Sequence, residues 1–172
     1  KQRRVRGTCQ AYAERFAQNL SLGRWLYIGG TCGTGKTHLV CAIANHILSR
    51  RLGTVAFFNW SELSTLIRST SSYSFGLRED ELYSALNRPD LLVIDDIGAN
   101  ADSDSERNML YRVMNLRTER RRPLVATSNL LKESFLAVVG DRVASRIKDR
   151  GNCLLVAVWP DRRDAGVADE TG

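Results

Sequence analysis

The stretch that most restricts the fold runs from Tyr27 to Ile47, "YIGGTCGTGKTHLVCAIANHI", where a short apolar segment leads through glycines into a helix-patterned segment. Residues Gly30 to Thr37 match the pattern G-x-x-x-x-G-K-[ST] completely. Glycines allow several backbone N–H groups to approach one ligand, and the start of a helix adds a partial positive charge at the same point. The sequence therefore predicts a polyphosphate-binding loop between a strand and a helix.

Each part of this loop has a predicted role in binding a nucleotide with Mg²⁺. The backbone N–H groups of residues 33–37 are expected to surround the β-phosphate. Lys36 is expected to reach the β- and γ-phosphate oxygens, and the Thr37 hydroxyl is expected to ligate Mg²⁺. The nucleotide-binding candidates in this region are Gly30, Thr31, Cys32, Gly33, Thr34, Gly35, Lys36, Thr37 and His38.

Polar residues follow two further apolar runs. In "LLVIDD" the first aspartate, Asp95, is predicted to hold the metal, and Asp96 is predicted to point differently, toward an attacking water. In "VATSN" Ser128 and Asn129 follow another apolar run, so a polar side chain is predicted to lie beside the same crevice, where Asn129 orients that water or senses the γ-phosphate. A polar turn after a strand is the competing interpretation of this second motif.

Apolar strand patterns alternate with helical patterns along the chain, which predicts an α/β fold with a parallel sheet between helices. The run "TVAFFN" is continuous and apolar, which is typical of a strand buried on both faces. The first helix is predicted over residues 8–19, with Thr8 as its N-cap. We expect one domain over residues 1–172, with flexible ends at 1–7 and 164–172.

The chain carries a formal net charge of +6, and its basic excess lies in patches such as "KQRRVR" at residues 1–6 and "RTERRR" at residues 117–122. These patches fit an anionic partner such as nucleic acid or, alternatively, solvated surface faces. The 4 cysteines lack zinc spacing, so reduced thiols in a cytoplasmic protein are expected. The sequence contains no apolar run of transmembrane length, and a membrane partner is not expected.

Two arginines in "GDRVASRIKDR", Arg142 and Arg146, are four positions apart and share one face of a predicted helix. An arginine can be supplied to the transferring phosphate of a neighbouring subunit, which would require self-association through this face. A solvated basic helix is the alternative if no oligomer forms.

With the phosphate loop, "LLVIDDIG", "ATSN" and "GDRVASRI" in this order, the chain resembles the AAA+ ATPases of the DnaC/DnaI-type helicase loaders over about residues 8–163. The resemblance implies an AAA+ P-loop NTPase fold without a full C-terminal lid domain. It assigns Gly30 to Thr37 as Walker A, Asp95 and Asp96 as Walker B, and Asn129 as sensor 1. It also assigns Arg146 as the arginine finger, Arg142 as its companion, and Arg163 more loosely as a C-terminal sensor arginine.

The resemblance further implies ATP and Mg²⁺ as ligands, and single-stranded DNA and a replicative hexameric helicase as partners. Tyr73 and Phe75 lie where the family has a DNA-contacting insertion, and each either stacks on bases or folds back into the core. The catalytic candidates are Lys36, Asp96, Asn129, Arg142 and Arg146.

Two departures from the family pattern are present. Asp96 replaces a glutamate, so hydrolysis is expected to be slow, and the family's small N-terminal helicase-binding domain is expected to be absent before Lys1. The alternatives to a helicase loader are an IstB-type transposase helper that acts on duplex DNA, a small-molecule P-loop kinase, and a nucleotide-gated DNA-binding module that hardly hydrolyses ATP.

Overall fold

A computed structural model of the chain describes residues 2–70, 78–98, 103–130, 132–141, 144–145 and 153–157. Helices and strands follow one another along these residues. In chain order they are α1 (Gln2–Glu14), α2 (Phe16–Leu22), β1 (Leu26–Gly30), α3 (Lys36–Ser49), β2 (Val55–Asn59), α4 (Trp60–Thr70), α5 (Glu79–Leu86), β3 (Leu91–Ile97), α6 (Asp104–Glu119), β4 (Leu124–Ser128), α7 (Lys132–Val139) and β5 (Cys153–Ala157).

The five strands form one sheet in the order β2-β3-β4-β1-β5, and every neighbouring pair is parallel. The predicted parallel sheet is therefore confirmed. Strand β1, which enters the phosphate loop, lies in the interior of the sheet beside β4, and β4 in turn lies beside β3. The carboxyl ends of these three adjacent strands consequently meet at one edge.

Helices cover the sheet on both faces, because successive side chains of the strands point to opposite sides. On one side Leu91 and Val93 pack with residues of α1, α2 and α3. On the other side Leu92 and Ile94 pack with residues of α4, α5, α6 and α7. Near-continuous apolar runs, such as "LLVI" at the start of β3, are needed because these strands are buried from both sides.

The prediction that the "TVAFFN" run is buried on both faces is wrong. This run forms β2, which is an edge strand with β3 as its only neighbour in the described sheet. Its residues are half-buried or exposed, and the Phe57 side chain is 40% exposed. Apolar composition alone does not reveal whether a second strand pairs on the outer side.

The N-terminal segment also differs from the expectation. Helix α1 begins at Gln2 instead of Thr8, and a turn at Arg15 separates it from α2. Residues 2–7 are therefore helical and not a loose end, because Val5 is buried together with Cys9 against the sheet. The other expected flexible end, residues 164–172, lies outside the described residues, as does the place of a lid after β5.

Among the described residues no helix combines the length and the apolar character that crossing a bilayer requires.

Arg117 shows how part of the "RTERRR" patch is used inside the fold. Its side chain is 1% exposed, so it is neither a solvated group nor available to a partner. The guanidinium donates to the carbonyls of Pro89 (2.7 Å) and Asp90 (3.1 Å) before β3, and to the carbonyl of Pro123 before β4. Burial, and then the charge of Arg122, lower the pKa of Arg117 to about 9, so it stays protonated at neutral pH.

We expect Arg117→Ala to lower the free energy of unfolding by roughly 2–4 kcal/mol, because several buried carbonyls lose their donor. The matched control is Arg120→Ala, which removes an exposed arginine next to the end of the same helix. That substitution should alter the free energy of unfolding by no more than about 0.5 kcal/mol. Urea unfolding followed by circular dichroism measures both variants, and equal effects would contradict the structural role of Arg117.

Candidate functional site

The glycine-rich loop connects the end of β1 to the start of α3, as predicted. Gly33 and Gly35 have φ angles of 74° and 81°, which residues with a Cβ atom rarely adopt. Gly35 is the N-cap of α3, and no side chain caps this helix start. The first N–H groups of α3 are therefore left for an anion in the concave loop.

Lys36 occupies the first position of α3, and its side chain turns back into the loop. Its Nζ donates to the carbonyls of Gly30 and Thr31, both at 2.8 Å, and to Asn129 Oδ1 at 2.9 Å. Burial lowers the pKa of Lys36, although nearby Cys32, Asp96 and Asp95 act in the opposite direction. The ammonium is thus held at the mouth of the loop and joins it to the end of β4.

Asp95 is buried near the end of β3, with 5% exposure, and both of its oxygens have hydroxyl donors. The Thr37 hydroxyl donates to Oδ2 at 2.9 Å. The Thr127 hydroxyl donates to Oδ1 at 2.5 Å. Asp95 and Thr37 thereby lie side by side, as the predicted metal pair requires.

Asp96 points differently from an ordinary strand residue. Its φ angle is 55°, and the register between β3 and β4 shifts between Ile94 and Ile97. Its N–H donates to the Thr127 hydroxyl at 2.9 Å. Such an irregularity re-aims a side chain, and it brings the exposed Asp96 carboxylate to the same cleft as Asp95.

The two polar residues at the end of β4 have different surroundings. Asn129 lies at the cleft, accepts from Lys36 and donates through Nδ2 to Asp96 Oδ1 at 3.4 Å. Ser128 does not face the cleft, because it is fully buried and donates to the Ile97 carbonyl. Thr127, which precedes Ser128, lines the cleft together with Asn129.

These groups line one cleft of about 600 Å³ at the carboxyl ends of the strands. Its lining residues are Cys32, Gly33, Gly35, Lys36, Thr37, His38, Asn59, Asp95, Asp96, Thr127 and Asn129. Asn59 and Thr127 were not among the residues predicted from the sequence. Asn59 ends β2 and pairs in register with Asp95, so the only sequence signal was a polar residue closing an apolar run.

The donor set fits a nucleoside triphosphate with Mg²⁺. Thr37 Oγ1 and Asp95 Oδ2 are adjacent oxygens, which is the ligand type that Mg²⁺ prefers, and Mg²⁺ usually takes its other ligands from phosphate and water. Within the described ranges no cluster of three or more histidine, cysteine or acidic residues forms a metal cage of its own. A shared metal and phosphate site suits that arrangement better than a protein-only site.

Several predicted site residues lie outside the part of the chain that the structure describes. They are Tyr73 and Phe75 in the polar loop, the arginine pair Arg142 and Arg146, and Arg163 in the tail. Their roles stay predictions.

Comparison with known proteins places this geometry in a family. Residues 11–156 match the family described as IstB-like ATP binding protein. A replicative helicase loader DnaC from Buchnera aphidicola (subsp. Acyrthosiphon pisum) is 30% identical over 94% of the chain and 64% of its own length. The DnaC of Escherichia coli K12 is 29% identical over 88% of the chain and 60% of its own length. The chain thus spans about three fifths of these relatives.

Solved structures share the fold. The DnaC helicase loader superimposes with a TM-score of 0.73 at 23% identity, covering 88% of this chain and 86% of that chain. DnaA from Aquifex aeolicus with bound AMPPCP superimposes with a TM-score of 0.70 at 20% identity, covering 91% of this chain and 47% of that chain. The predicted AAA+ P-loop fold is confirmed.

Thr127 is expected to position the carboxylate of Asp95, the residue that is predicted to hold Mg²⁺. Thr127→Val removes the donor to Asp95 and the acceptor for the Asp96 N–H, so unfolding free energy should fall by roughly 1–3 kcal/mol. Nucleotide binding should also require more Mg²⁺, as measured by Mg²⁺ titration of a fluorescent ATP analogue. Thr118→Val, a buried threonine change in α6, is the control. Identical Mg²⁺ dependence in both variants would contradict this role.

Cys32 offers a direct test of where nucleotide binds. It is exposed at the cleft, whereas Cys9 is buried and Cys41 is intermediate. With ATP at about ten times its Kd, alkylation of Cys32 should slow about tenfold, because the free fraction of the loop falls in that proportion. Mass spectrometry of each cysteine peptide measures this, with Cys41 as the internal control. Unchanged labelling of Cys32 would place the nucleotide elsewhere.

Proposed function

This chain belongs to the IstB-like ATP binding protein family, and from that premise we propose that it is a Mg²⁺-dependent ATPase that helps to load a replicative helicase onto single-stranded DNA. ATP binding would favour self-association and DNA binding, and hydrolysis would release both. The loader part of the proposal comes from relatives that carry the name DnaC and are similar over 88–94% of this chain. An activity on DNA implies a cytoplasmic location.

The phosphates of ATP would bind in the glycine-rich loop. The uncapped N–H groups at the start of α3 suit phosphate oxygens, and the positive end of the helix favours negative charge there. Lys36 already points into the loop and would reach the β- and γ-phosphates. Thr37 and Asp95 would hold Mg²⁺, whose charge offsets the negative charge that develops on the transferring phosphate.

The remaining polar groups would act on the attacking water. Asp96 has the exposed carboxylate and would accept a proton from the attacking water. The oxygen of that water would bond to the γ-phosphorus while the bond between this phosphorus and the β-phosphate oxygen breaks. Asn129 would orient that water. Arg146 and its companion Arg142 would serve the site of a neighbouring subunit.

One observation carries the ATPase proposal. Asn129 is hydrogen-bonded both to Lys36 in the phosphate loop, at 2.9 Å, and to Asp96, at 3.4 Å. A single side chain at the end of β4 is therefore coupled to the group expected at the phosphates and to the expected base. That coupling suits a switch that senses the γ-phosphate.

A transposase helper that acts on duplex DNA is the second candidate, and the family description, IstB-like, favours it. It would use the same cleft in the same way. The preferred DNA strand state separates the two candidates, since a helicase loader should prefer single strands.

The first experiment is fluorescence anisotropy with a labelled single-stranded oligonucleotide, in the presence of ATP, ADP or no nucleotide. We expect tight binding with ATP only, and loss of that binding in Lys36→Ala, because the variant lacks the ammonium that reaches the phosphates. A duplex of the same sequence is measured beside it. A preference for duplex that depends on ATP and is lost in Lys36→Ala would move the function to the transposase helper.

Asp96→Asn is the matched control, since it keeps the size of the side chain and removes its basicity. It should bind the oligonucleotide with ATP as the unchanged protein does, but release phosphate at least about 100-fold more slowly, which is the usual contribution of a general base. No DNA binding in any nucleotide state would contradict the loader proposal, and unchanged phosphate release in Asp96→Asn would contradict the assigned base.

A further inference from the structure

The end of the sheet opposite the nucleotide cleft carries a concentration of arginines. Because the strands are parallel, their amino ends meet there, preceded by the four short segments 23–25, 50–54, 87–90 and 120–123. We call the surface of these segments the arginine face. It carries Arg24, Arg50, Arg51, Arg88, Arg120, Arg121 and Arg122, with Asp90 as its one acidic residue.

The four segments touch one another and form one surface. Asp90 accepts from the Thr54 N–H at 2.9 Å and from Arg122 Nη1 at 2.9 Å, which joins the starts of β2, β3 and β4. The indole of Trp25 donates to the Arg122 carbonyl at 3.1 Å, which adds the start of β1. The arginines therefore act as one charged patch and not as separate groups.

This surface accounts for the charge of the whole protein. Seven arginines and one aspartate give the four segments a net charge of +6, and the formal net charge of the 172 residues is also +6, so the rest of the chain is balanced. The one aspartate is already bonded to Arg122 and Thr54. Five of the arginines, namely Arg50, Arg51, Arg88, Arg120 and Arg121, are exposed.

Backbone conformation gives an independent indication that positive charge on the arginine face has a function. Arg51 and Arg121 have φ angles of 53° and 51°, in the left-handed region where glycine or asparagine is usual after a helix. Both residues follow directly after the C-caps of α3 and α6, which are Arg50 and Arg120. The chain thus accepts an unfavourable conformation twice on one surface and places an arginine there each time.

Compensation of helix dipoles explains only part of this pattern. The carboxyl ends of α2, α3, α5 and α6 lie at this face, and a cation near each end stabilises the helix. That role does not require arginine in the left-handed position, because the C-cap arginines already sit at the ends of α3 and α6.

We propose that the arginine face binds the phosphate backbone of duplex DNA. Arginine matches phosphate geometry through several donors. The five exposed arginines precede β2, β3 and β4, and three adjacent strand starts at ~4.8 Å spacing form a row ~10 Å long. This length is close to the ~12 Å width of the major groove, so the two ends of the row would reach phosphates on both strands.

A single strand fits this surface less well. Single-strand binding surfaces present aromatic side chains on which bases stack. The one aromatic residue in the four segments is Trp25, and it is only 6% exposed. The inference does not depend on the proposed helicase loading, because it concerns the end of the sheet away from the nucleotide.

The test is Arg51→Gly together with Arg121→Gly, which removes two charges and suits the left-handed backbone, so folding should not suffer. Anisotropy of a short labelled duplex over a range of salt concentrations is the readout. We expect duplex affinity to fall about tenfold or more, and the slope of log K against log salt to decrease in magnitude by about 2. Thermal unfolding and binding of a fluorescent ATP analogue should be unchanged.

Two controls isolate the surface from net charge. Arg51→Lys with Arg121→Lys keeps both charges and should retain most of the affinity. Arg15→Gln with Arg78→Gln removes two exposed charges before α2 and α5, at the opposite ends of these helices, and should leave the salt slope unchanged.

Three results would overturn the proposal. The first is an unchanged salt slope in the glycine double variant. The second is an equal loss in the Arg15 and Arg78 control, which would indicate net charge alone. The third is a loss confined to single-stranded oligonucleotides. Lys36→Ala tests the helicase-loading proposal separately, because it should abolish ATP-dependent single-strand binding and leave this duplex binding intact.

Discussion

All five strands run in one direction, and this arrangement separates the chemistry of the chain into two ends. Polar residues that follow the strands, such as Asp95, Asp96 and Asn129, collect at the carboxyl edge around the phosphate loop. Arginines that precede the strands collect at the opposite edge. An antiparallel sheet would have mixed the two sets, since it alternates strand starts and ends along each edge.

At the carboxyl edge, hydrogen bonds join groups from three adjacent strands into one unit. Thr127 on β4 holds the carboxylate of Asp95 on β3, and Asp95 accepts from Thr37 beside the phosphate loop. Asn129 forms a second connection, because it is hydrogen-bonded to both Lys36 and Asp96. The phosphate loop is therefore connected to β3 by two hydrogen-bonded routes.

Backbone strain marks the same two ends. Among the described residues, the non-glycine residues with positive φ are Arg51, Asp96 and Arg121. Asp96 needs this conformation because its carboxylate would otherwise point away from the cleft that Asp95 already faces. The two arginines place a positive charge at positions whose backbone glycine would fit better. In each case the chain keeps a side chain at the cost of a less favourable backbone.

Features that depend on neighbouring residues were predictable from the amino-acid sequence. The glycine spacing before Lys36 dictates a phosphate loop, and alternating patterns dictate most strands and helices, because local backbone preferences and burial periodicity act over a few positions. Strand order, and with it which side chains meet, depends instead on tertiary packing. Strand β2 is half-buried because it lies at the edge of the sheet. Thr127 is the hydrogen-bond partner of Asp95 because β3 and β4 are neighbours. Arg117 is buried among the strand starts, whereas Arg121 is exposed. These outcomes depend on contacts between residues distant in the chain, which no local pattern records.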